Sequence, residues 1–152
     1  MKEKIHWQLK KMEALSVSEL YKILQVRSEV FVVEQDCVYL DADGKDEKGY
    51  HLCGWIGEQL VAYCRIVPQG VSYPDKVSIG RVLTNPSYRN AGMGKLLMEK
   101  AIAATYELFP VDSIKIGAQL YLLKFYNEFN FKQISDMYLE DNIPHVEMLH
   151  CR

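Results

Sequence analysis

The chain has 152 residues, of which 49% are hydrophobic and 25% are charged, and its formal net charge is −2. This length and composition predict one globular domain over residues 1–152, and the near-neutral charge excludes the basic surface typical of nucleic-acid-binding proteins. No apolar run approaches the roughly 18 residues that a membrane span needs, and four cysteines without a C-x-x-C pair or a preceding signal peptide predict a reduced, cytoplasmic protein.

The first half of the chain alternates between strand and helix patterns. Ser16-Val17-Ser18-Glu19 is a capping box, which predicts that a helix begins there. Two later apolar runs flank a short turn and predict an antiparallel hairpin. The predicted elements are a strand over 5–9, a helix over 16–34, an acidic loop over 37–49 and strands over 51–56 and 60–67. With Ile56 opposite Gln59, the face expected to pack under a helix carries His51, Cys53, Trp55, Leu60, Ala62, Cys64 and Ile66.

The second half reads as strand–helix–strand–helix followed by two more strands. Asn85-Pro86 ends the first of these strands, since proline has no N–H for the ladder. The predicted elements are strands over 77–84, 113–117, 131–138 and 145–149, and helices over 92–108 and 119–129. This order predicts a mixed α/β (α+β) fold, with a single, mostly antiparallel twisted sheet, a central parallel strand pair and helices on both faces.

The segment Arg89-Asn90-Ala91-Gly92-Met93-Gly94-Lys95 joins a predicted strand to a predicted helix. Its two glycines remove the Cβ atoms that would hold a ligand away from the backbone. The first N–H groups of a helix have no partner within it and lie at the positive end of its dipole. These features favour a pyrophosphate-binding turn, to which Arg89 and Lys95 add charge. An ordinary turn is the alternative, and the spacing fits neither G-x-x-x-x-G-K-[ST] nor G-x-G-x-x-G.

Two motifs resemble those of the GCN5-related N-acetyltransferases (GNAT). Residues 82–95 are similar to that family's strand, V-x-P-x-x-R turn and [QR]-x-x-G-x-[GA] loop, and residues 125–131 are similar to its F-Y-x-x-x-G-F ending. Asn130 stands at the usual glycine, although asparagine also adopts the left-handed conformation, and Gln119 stands where asparagine is frequent. Within the family the chain resembles the ElaA-like group. The residues that carry this similarity are Arg27, 31–35, Tyr39, Asp43, His51, 80–82, 117–119 and 143–145.

The resemblance implies a GNAT fold that binds acetyl-CoA or coenzyme A. Backbone N–H groups of the 89–95 turn would hold the pyrophosphate, and the backbone of Val82 and Thr84 would pair with the pantetheine arm. Gln119 would face that arm, and Tyr126 would lie beside the thioester sulfur as a general acid, although a core tyrosine is the alternative. The cofactor-binding residues implied are Val82, Thr84, Arg89, Asn90, Ala91, Gly92, Met93, Gly94, Lys95, Gln119 and Tyr126.

Acidic residues and one arginine are candidates for binding the acceptor. Glu34 and Asp43, with the neighbouring loop residues Asp41 and Asp46, could attract a cationic amine, or could simply be solvated. A charge on a central strand is costly unless it is paired. We therefore expect Arg81 to meet a buried carboxylate such as Glu34, in a pairing that is structural or serves the acceptor.

Two histidines are further candidates for the acceptor site. His51 lies on a predicted packed face and His145 at the edge of a predicted turn, so either could be a catalytic base or a core histidine. No two of the histidines and cysteines have zinc-ligand spacing within one motif, and no metal site is predicted.

These observations predict an N-acetyltransferase that transfers an acetyl (acyl) group from acetyl-CoA to a primary amine by direct attack in a ternary complex. The acceptor, a small molecule or a peptide, remains open, as do the general base and the choice between monomer and homodimer. Neither a nucleic-acid partner nor a membrane partner is predicted. The main alternative is a non-catalytic acyl-CoA-binding regulatory module, while the intact R-x-x-G-x-G segment disfavours a protein–protein adaptor.

Overall fold

The computed structural model describes residues 4–152, except that only the helical backbone is described at 90 and 91. Two predicted cofactor-binding residues, Asn90 and Ala91, therefore lie outside the described residues. The strands are β1 (His6–Lys11), β2 (Tyr50–Ile56), β3 (Gln59–Val67), β4 (Ser78–Thr84), β5 (Ser113–Gln119), β6 (Phe131–Gln133), β7 (Tyr138–Glu140) and β8 (Ile143–Cys151). The α-helices are α1 (Val17–Arg27), α2 (Met93–Leu108) and α3 (Leu123–Asn127). Within the described part of the chain, no helix is long and apolar enough to cross a membrane.

The strands form two antiparallel sheets, in the orders β1-β2-β3-β4 and β5-β8-β6, with β7 paired to β8. The sheets join in parallel at one bridge between Val77 and Ile114, where the Lys115 N–H also donates to the Val77 carbonyl at 3.1 Å. The predicted mixed α/β fold is confirmed, with its parallel strand pair reduced to this bridge. Beyond the bridge β4 and β5 diverge, which leaves the facing edge of β4 without a described strand partner.

The β2–β3 hairpin has the predicted pairing of Ile56 with Gln59, but its faces differ from the prediction. A β-bulge between Gly54 and Trp55 leaves Val61 as an extra residue on β3. Beyond this extra residue, each side chain of β3 lies on the opposite face from the one that strict alternation of side chains predicts. The core under α2 therefore contains Ala62, Cys64 and Ile66, whereas the core under α1 contains Cys53, Trp55, Leu60 and Tyr63.

The first helix begins at the predicted capping box. Ser16 Oγ accepts from the Glu19 N–H at 3.0 Å, and Glu19 Oε1 accepts from the Ser16 N–H at 2.8 Å. Regular α-helix ends at Arg27, and the chain continues as a π-helical segment over Ser28–Glu34. The prediction that the helix extends to Glu34 is thus correct. Its last seven residues are π-helical, and this segment lies at the edge of the cavity described below.

The C-terminal part departs from the prediction in two places. The helix expected over 119–129 is a 3-10 turn, Leu120–Leu122, followed by the five-residue helix α3. The strand expected over 131–138 is divided into β6 and β7, which both pair with β8. Between α3 and β6, Asn130 has φ of 67°, the left-handed conformation expected of the residue that replaces a glycine.

Candidate active site

A cavity of about 1000 Å³ lies where β4 and β5 diverge. Its walls come from the free edge of β4, the first turn of α2, α3, the π-helical segment and the β7–β8 end of the second sheet. A cleft at the switch between two halves of a sheet is a common ligand site, and this volume suits a cofactor-sized molecule. The described predicted cofactor-binding residues that line it are Val82, Thr84, Arg89, Gly94, Gln119 and Tyr126.

The start of α2 has the N-terminal backbone donors that are common to helices. Gly92 precedes the helix with φ of 70° and gives it no side-chain cap, and the first described intrahelical bond runs from the Leu96 N–H to the Gly92 carbonyl at 3.3 Å. The N–H groups of Met93, Gly94 and Lys95 therefore have no acceptor within the helix. The Met93 side chain is buried in the core and that of Lys95 is exposed, so any contribution of Met93 to a ligand site is through its backbone.

Gly94 brings the helix close to the cavity. A Cβ atom at this position would lie 3.5 Å from the Phe125 ring and 3.9 Å from the Thr84 side chain. Both distances are ordinary van der Waals contacts, so the protein itself has room for a methyl group here. The space that such a methyl group would occupy belongs to the cavity.

Arg89 and Glu34 form a bidentate ion pair at the cavity. The two Arg89 Nη atoms donate to the two Glu34 carboxylate oxygens at 2.8 and 2.6 Å, and Arg89 Nε donates to the Thr84 carbonyl at 3.4 Å. The hydrogen bond from Arg89 lowers the pKa of Glu34 below its ordinary value. Glu34, predicted to bind the acceptor, thus contacts a residue predicted to bind the cofactor.

Arg81 meets a buried carboxylate, as predicted, but its partner is Asp41 and not Glu34. Arg81 lies in a bulge of β4 with φ of 49° and reaches the 37–49 loop instead. Its Nη2 lies 3.2 Å from Asp43 Oδ2, and its Nε lies 2.9 Å from Asp41 Oδ1 at an angle that makes an ion pair but no hydrogen bond. The loop carboxylates lie nearer to the bulge than the π-helical segment does, and they therefore neutralise the arginine.

The loop acids belong to a buried ionic network. Arg27 contacts Asp41 at 2.8 Å and Asp46 at 2.6 Å, and Arg65 contacts Asp43 at 2.8 Å and Asp46 at 2.9 Å. Burial would raise the pKa of Asp43 and of Asp46, but the arginine hydrogen bonds and charges hold both below their ordinary values. The prediction that these acids attract a cationic amine is therefore wrong for Asp41 and Asp46, whose charges are already matched; of the three aspartates only Asp43 lines the cavity.

His51 is a core residue and does not line the cavity. Its Nε2 donates to the Asp46 carbonyl at 2.9 Å, and its Nδ1 accepts from the Tyr63 hydroxyl at 2.6 Å. Burial lowers the pKa of His51, which favours this neutral form. With both ring nitrogens satisfied and the side chain fully buried, the predicted acceptor-site role does not fit His51.

Tyr126 reaches the cavity from α3 through an aromatic cluster. Its ring packs edge-to-face against Phe125 and Phe131, with centroid distances of 5.2 and 5.9 Å. The side chain is 6% exposed and lines the cavity, and its hydroxyl makes no hydrogen bond to a described residue. Burial, with smaller contributions from Cys64 and Tyr121, raises the pKa of Tyr126, so the phenol remains protonated at neutral pH.

The far part of the cavity contains residues that the sequence did not indicate. The hydroxyls of Tyr138 and Tyr73 lie 3.0 and 3.2 Å from where a Cβ atom of Gly117 would be. His145, a predicted acceptor-site residue, lines the same part, as does Glu147. The glycine in the middle of β5 was the available signal, because a strand glycine often marks the close approach of another group.

Comparisons with known proteins agree with this geometry. A family model described as an acetyltransferase (GNAT) domain matches residues 19–150. Protein ElaA of Escherichia coli K12 is 41% identical over 146 residues, which cover 95% of each chain. The crystal structure of an acyl-CoA N-acyltransferase from Pseudomonas aeruginosa aligns with a TM-score of 0.91 and 38% identity, over 97% of this chain and 100% of that one. An aminoglycoside 6'-N-acetyltransferase complexed with coenzyme A has a TM-score of 0.71 at 12% identity, over 95% and 96% of the chains, a likeness of fold alone.

Proposed function

The chain belongs to the GNAT acetyltransferase family, and we propose that it transfers an acyl group, by default acetyl, from acyl-CoA to a primary amine. The observation that carries this proposal is the cavity between β4 and β5, which combines an edge of β4 without a described strand partner, the first turn of α2 and a buried tyrosine. The coenzyme A named for the aminoglycoside acetyltransferase of the same fold supports the choice of cofactor.

The residues present fit the parts of coenzyme A. The free N–H groups at the start of α2 suit the pyrophosphate, because helix N-termini bind anions through backbone donors and the dipole. The unpaired edge of β4, at Val82 and Thr84, suits an extended amide-containing arm that binds as an added strand. Gln119 lines the same cavity. Its side chain is held by a hydrogen bond in which Nε2 donates to Gln35 Oε1 at 3.2 Å.

The chemistry follows from where charge develops. The thioester supplies the activated acyl group. An N–H on the free edge of β4 can donate to the oxyanion that forms when an amine attacks the carbonyl. Tyr126 lines the cavity and stays protonated at neutral pH, so it can give its proton to the departing thiolate.

The extent of the cavity favours an enzyme over a binding module. Beyond the cofactor residues it continues to Tyr73, Tyr138 and His145. A module that only senses acyl-CoA has no need of this second compartment, whereas an acceptor amine must occupy a space next to the thioester. The ternary complex is therefore the form of the reaction that we propose.

Gly94→Glu tests the cofactor site. A carboxylate in the first turn of a helix is favourable with the helix dipole, and a Cβ atom at position 94 meets only ordinary van der Waals contacts, so the variant should fold. A ligand at 100 times its Kd stabilises the folded state by about 2.7 kcal/mol. We expect coenzyme A to raise the melting temperature of the parent and to do so much less for Gly94→Glu, because the added carboxylate occupies the cavity beside the helix start and repels the pyrophosphate.

Ala103→Glu is the matched control, because Ala103 is an exposed residue of the same helix and does not line the cavity. It should keep the full shift with coenzyme A. A parent protein that shows no shift with coenzyme A would remove the basis of the proposed function.

A further inference from the structure

His145 is placed on the acceptor side of the cavity by the pairing of β5 with β8. The register sets His145 opposite Gln119, while the adjacent pair, Val146 and Ala118, is buried in the core that also contains Tyr126. Because side chains alternate along a strand, His145 and Gln119 lie on the face of the sheet opposite to that core. His145 and Tyr126 nevertheless line the same cavity, which opens where the sheets diverge.

The hydrogen bonds of His145 fix its tautomer. Its Nδ1 lies 2.7 Å from the Ile143 carbonyl, which only accepts, so Nδ1 carries a proton, and in the neutral ring Nε2 is the nitrogen with the lone pair. Nε2 lies 3.5 Å from Glu140 Oε2, and the ring stacks on Tyr138 with a centroid distance of 5.9 Å and an interplanar angle of 24°. The imidazole is thus held by a carbonyl and a ring, with an acceptor nitrogen beside a carboxylate.

We propose that His145 is the general base of the reaction and that Glu140 is its positioning residue; this rests on the proposed function. As the amine nitrogen bonds to the thioester carbonyl carbon and the C–S bond breaks, His145 Nε2 takes the proton lost by the amine. Tyr126 protonates the thiolate, and the proton on the imidazolium returns to Tyr126 through solvent. Glu140 then faces a positively charged ring that it stabilises.

The other ionisable groups that face this part of the cavity fit the base role less well. Glu147 is paired with Lys115 at 3.4 Å, and Asp141 is exposed. Burial raises the pKa of Tyr73 and of Tyr138, so both phenols stay protonated. His145 alone among the described groups here combines 7% exposure with a lone pair that no donor occupies.

His145→Gln tests the proposal, with His6→Gln on the exposed start of β1 as the matched control. Acetyl-CoA is used with a panel of primary amines: a polyamine, an aminoglycoside, an amino acid and a lysine peptide, with thiol release as the readout. Loss of a general base costs about 10²–10⁴-fold in rate. We expect such a fall in kcat for His145→Gln, loss of the acid limb of its pH–rate profile, and an unchanged thermal shift with coenzyme A.

Glu140→Gln gives a second readout at a side chain that is 60% exposed and thus poorly placed to disturb folding. Removing the carboxylate takes away the group that lies 3.5 Å from His145 Nε2, so kcat should fall, by less than in His145→Gln, while the KM for the amine stays unchanged. A His145→Gln variant with more than a tenth of parental kcat and an intact acid limb, or a Glu140→Gln variant with the parental kcat, overturns the proposal. A parent protein that binds coenzyme A but acetylates none of the amines overturns the proposed function, and this base with it.

Discussion

Tyr126 has a buried ring, and its hydroxyl makes no hydrogen bond to a described residue, so the contribution of the ring to packing can be measured separately from that of the hydroxyl to catalysis. Tyr126→Phe keeps the edge-to-face contacts and removes only the hydroxyl. We expect kcat to fall by about 10²–10⁴-fold, while the free energy of unfolding changes by less than about 1 kcal/mol because no hydrogen bond is lost. Steady-state kinetics and urea unfolding measure the two effects, and a variant with more than a tenth of parental kcat would rule out Tyr126 as the acid.

At the scale of single residues, the sequence indicated which residue types could take part in the chemistry, but it did not show what surrounds each of them in the fold. Tyr126 was found because the residues around it match a family motif. His51 and His145 looked alike, as histidines on predicted strands, and only the fold shows that one is enclosed by Tyr63 and Asp46 while the other borders the cavity. The partner of Arg81 was misjudged because it depends on the path of a long loop, which no local pattern encodes.

The contact between the π-helical segment and the turn before α2 leads to a prediction at the scale of elements. Glu34 holds the guanidinium of Arg89, the residue proposed to meet the pyrophosphate. A phosphate group that binds Arg89 must compete with Glu34 for the same guanidinium. The ion pair to be displaced is exposed, and such pairs contribute only about 0.2–1 kcal/mol. Glu34→Gln should therefore tighten coenzyme A binding by up to about fivefold, measured by calorimetric titration.

Arg89→Ala gives the matching control and should weaken coenzyme A binding, while the double variant should resemble Arg89→Ala alone. Pantetheine, which lacks the pyrophosphate, should bind all four proteins equally. Weaker coenzyme A binding by Glu34→Gln would mean that the carboxylate orients Arg89 rather than competing for it.

Element positions were largely predictable, and the faces of the elements were less so. The capping box at Ser16 and the apolar spacing in α2 are local signals, and both helices begin where these signals lie. The bulge opposite Gly54 is a single added residue, and it reversed the predicted face of β3. Similarly, the division of the last predicted strand into β6 and β7 depends on how each part pairs with β8.

At the scale of the molecule, the cavity exists because two sheets joined at one parallel bridge diverge beyond it. The order of elements predicted a parallel contact between β4 and β5, and the family resemblance predicted a cofactor there. The extent of the acceptor compartment was not predictable, since it is formed by Tyr73, Tyr138 and β8, which are far apart in the chain. The ionic network around Arg27 supports this compartment by tying the acidic loop to α1 and β3.

That network and His51 together predict how the stability of the whole protein depends on pH. Burial lowers the pKa of His51 below 6.5 in the folded state, so the unfolded chain binds its proton first and the free energy of unfolding should fall as pH drops below about 6.5. His150, whose pKa burial also lowers, adds to this stage.

A second loss of stability should follow below about pH 4. Despite burial, which acts in the opposite direction, the arginines hold the pKa of Asp43 and of Asp46 below the ordinary 3.8. Their contribution is therefore complete above that value and is lost as pH falls toward the lower folded pKa.

Urea unfolding at a series of pH values measures both stages. One group whose pKa differs between the two states contributes a slope of at most about 1.4 kcal/mol per pH unit. His51→Gln should flatten the decline between pH 7 and 5, whereas His6→Gln should leave it as in the parent protein, because His6 is exposed and lies outside both cores. A His51→Gln variant that keeps the full decline between pH 7 and 5 would contradict the neutral state of His51. The decline would then come from another group, such as His150.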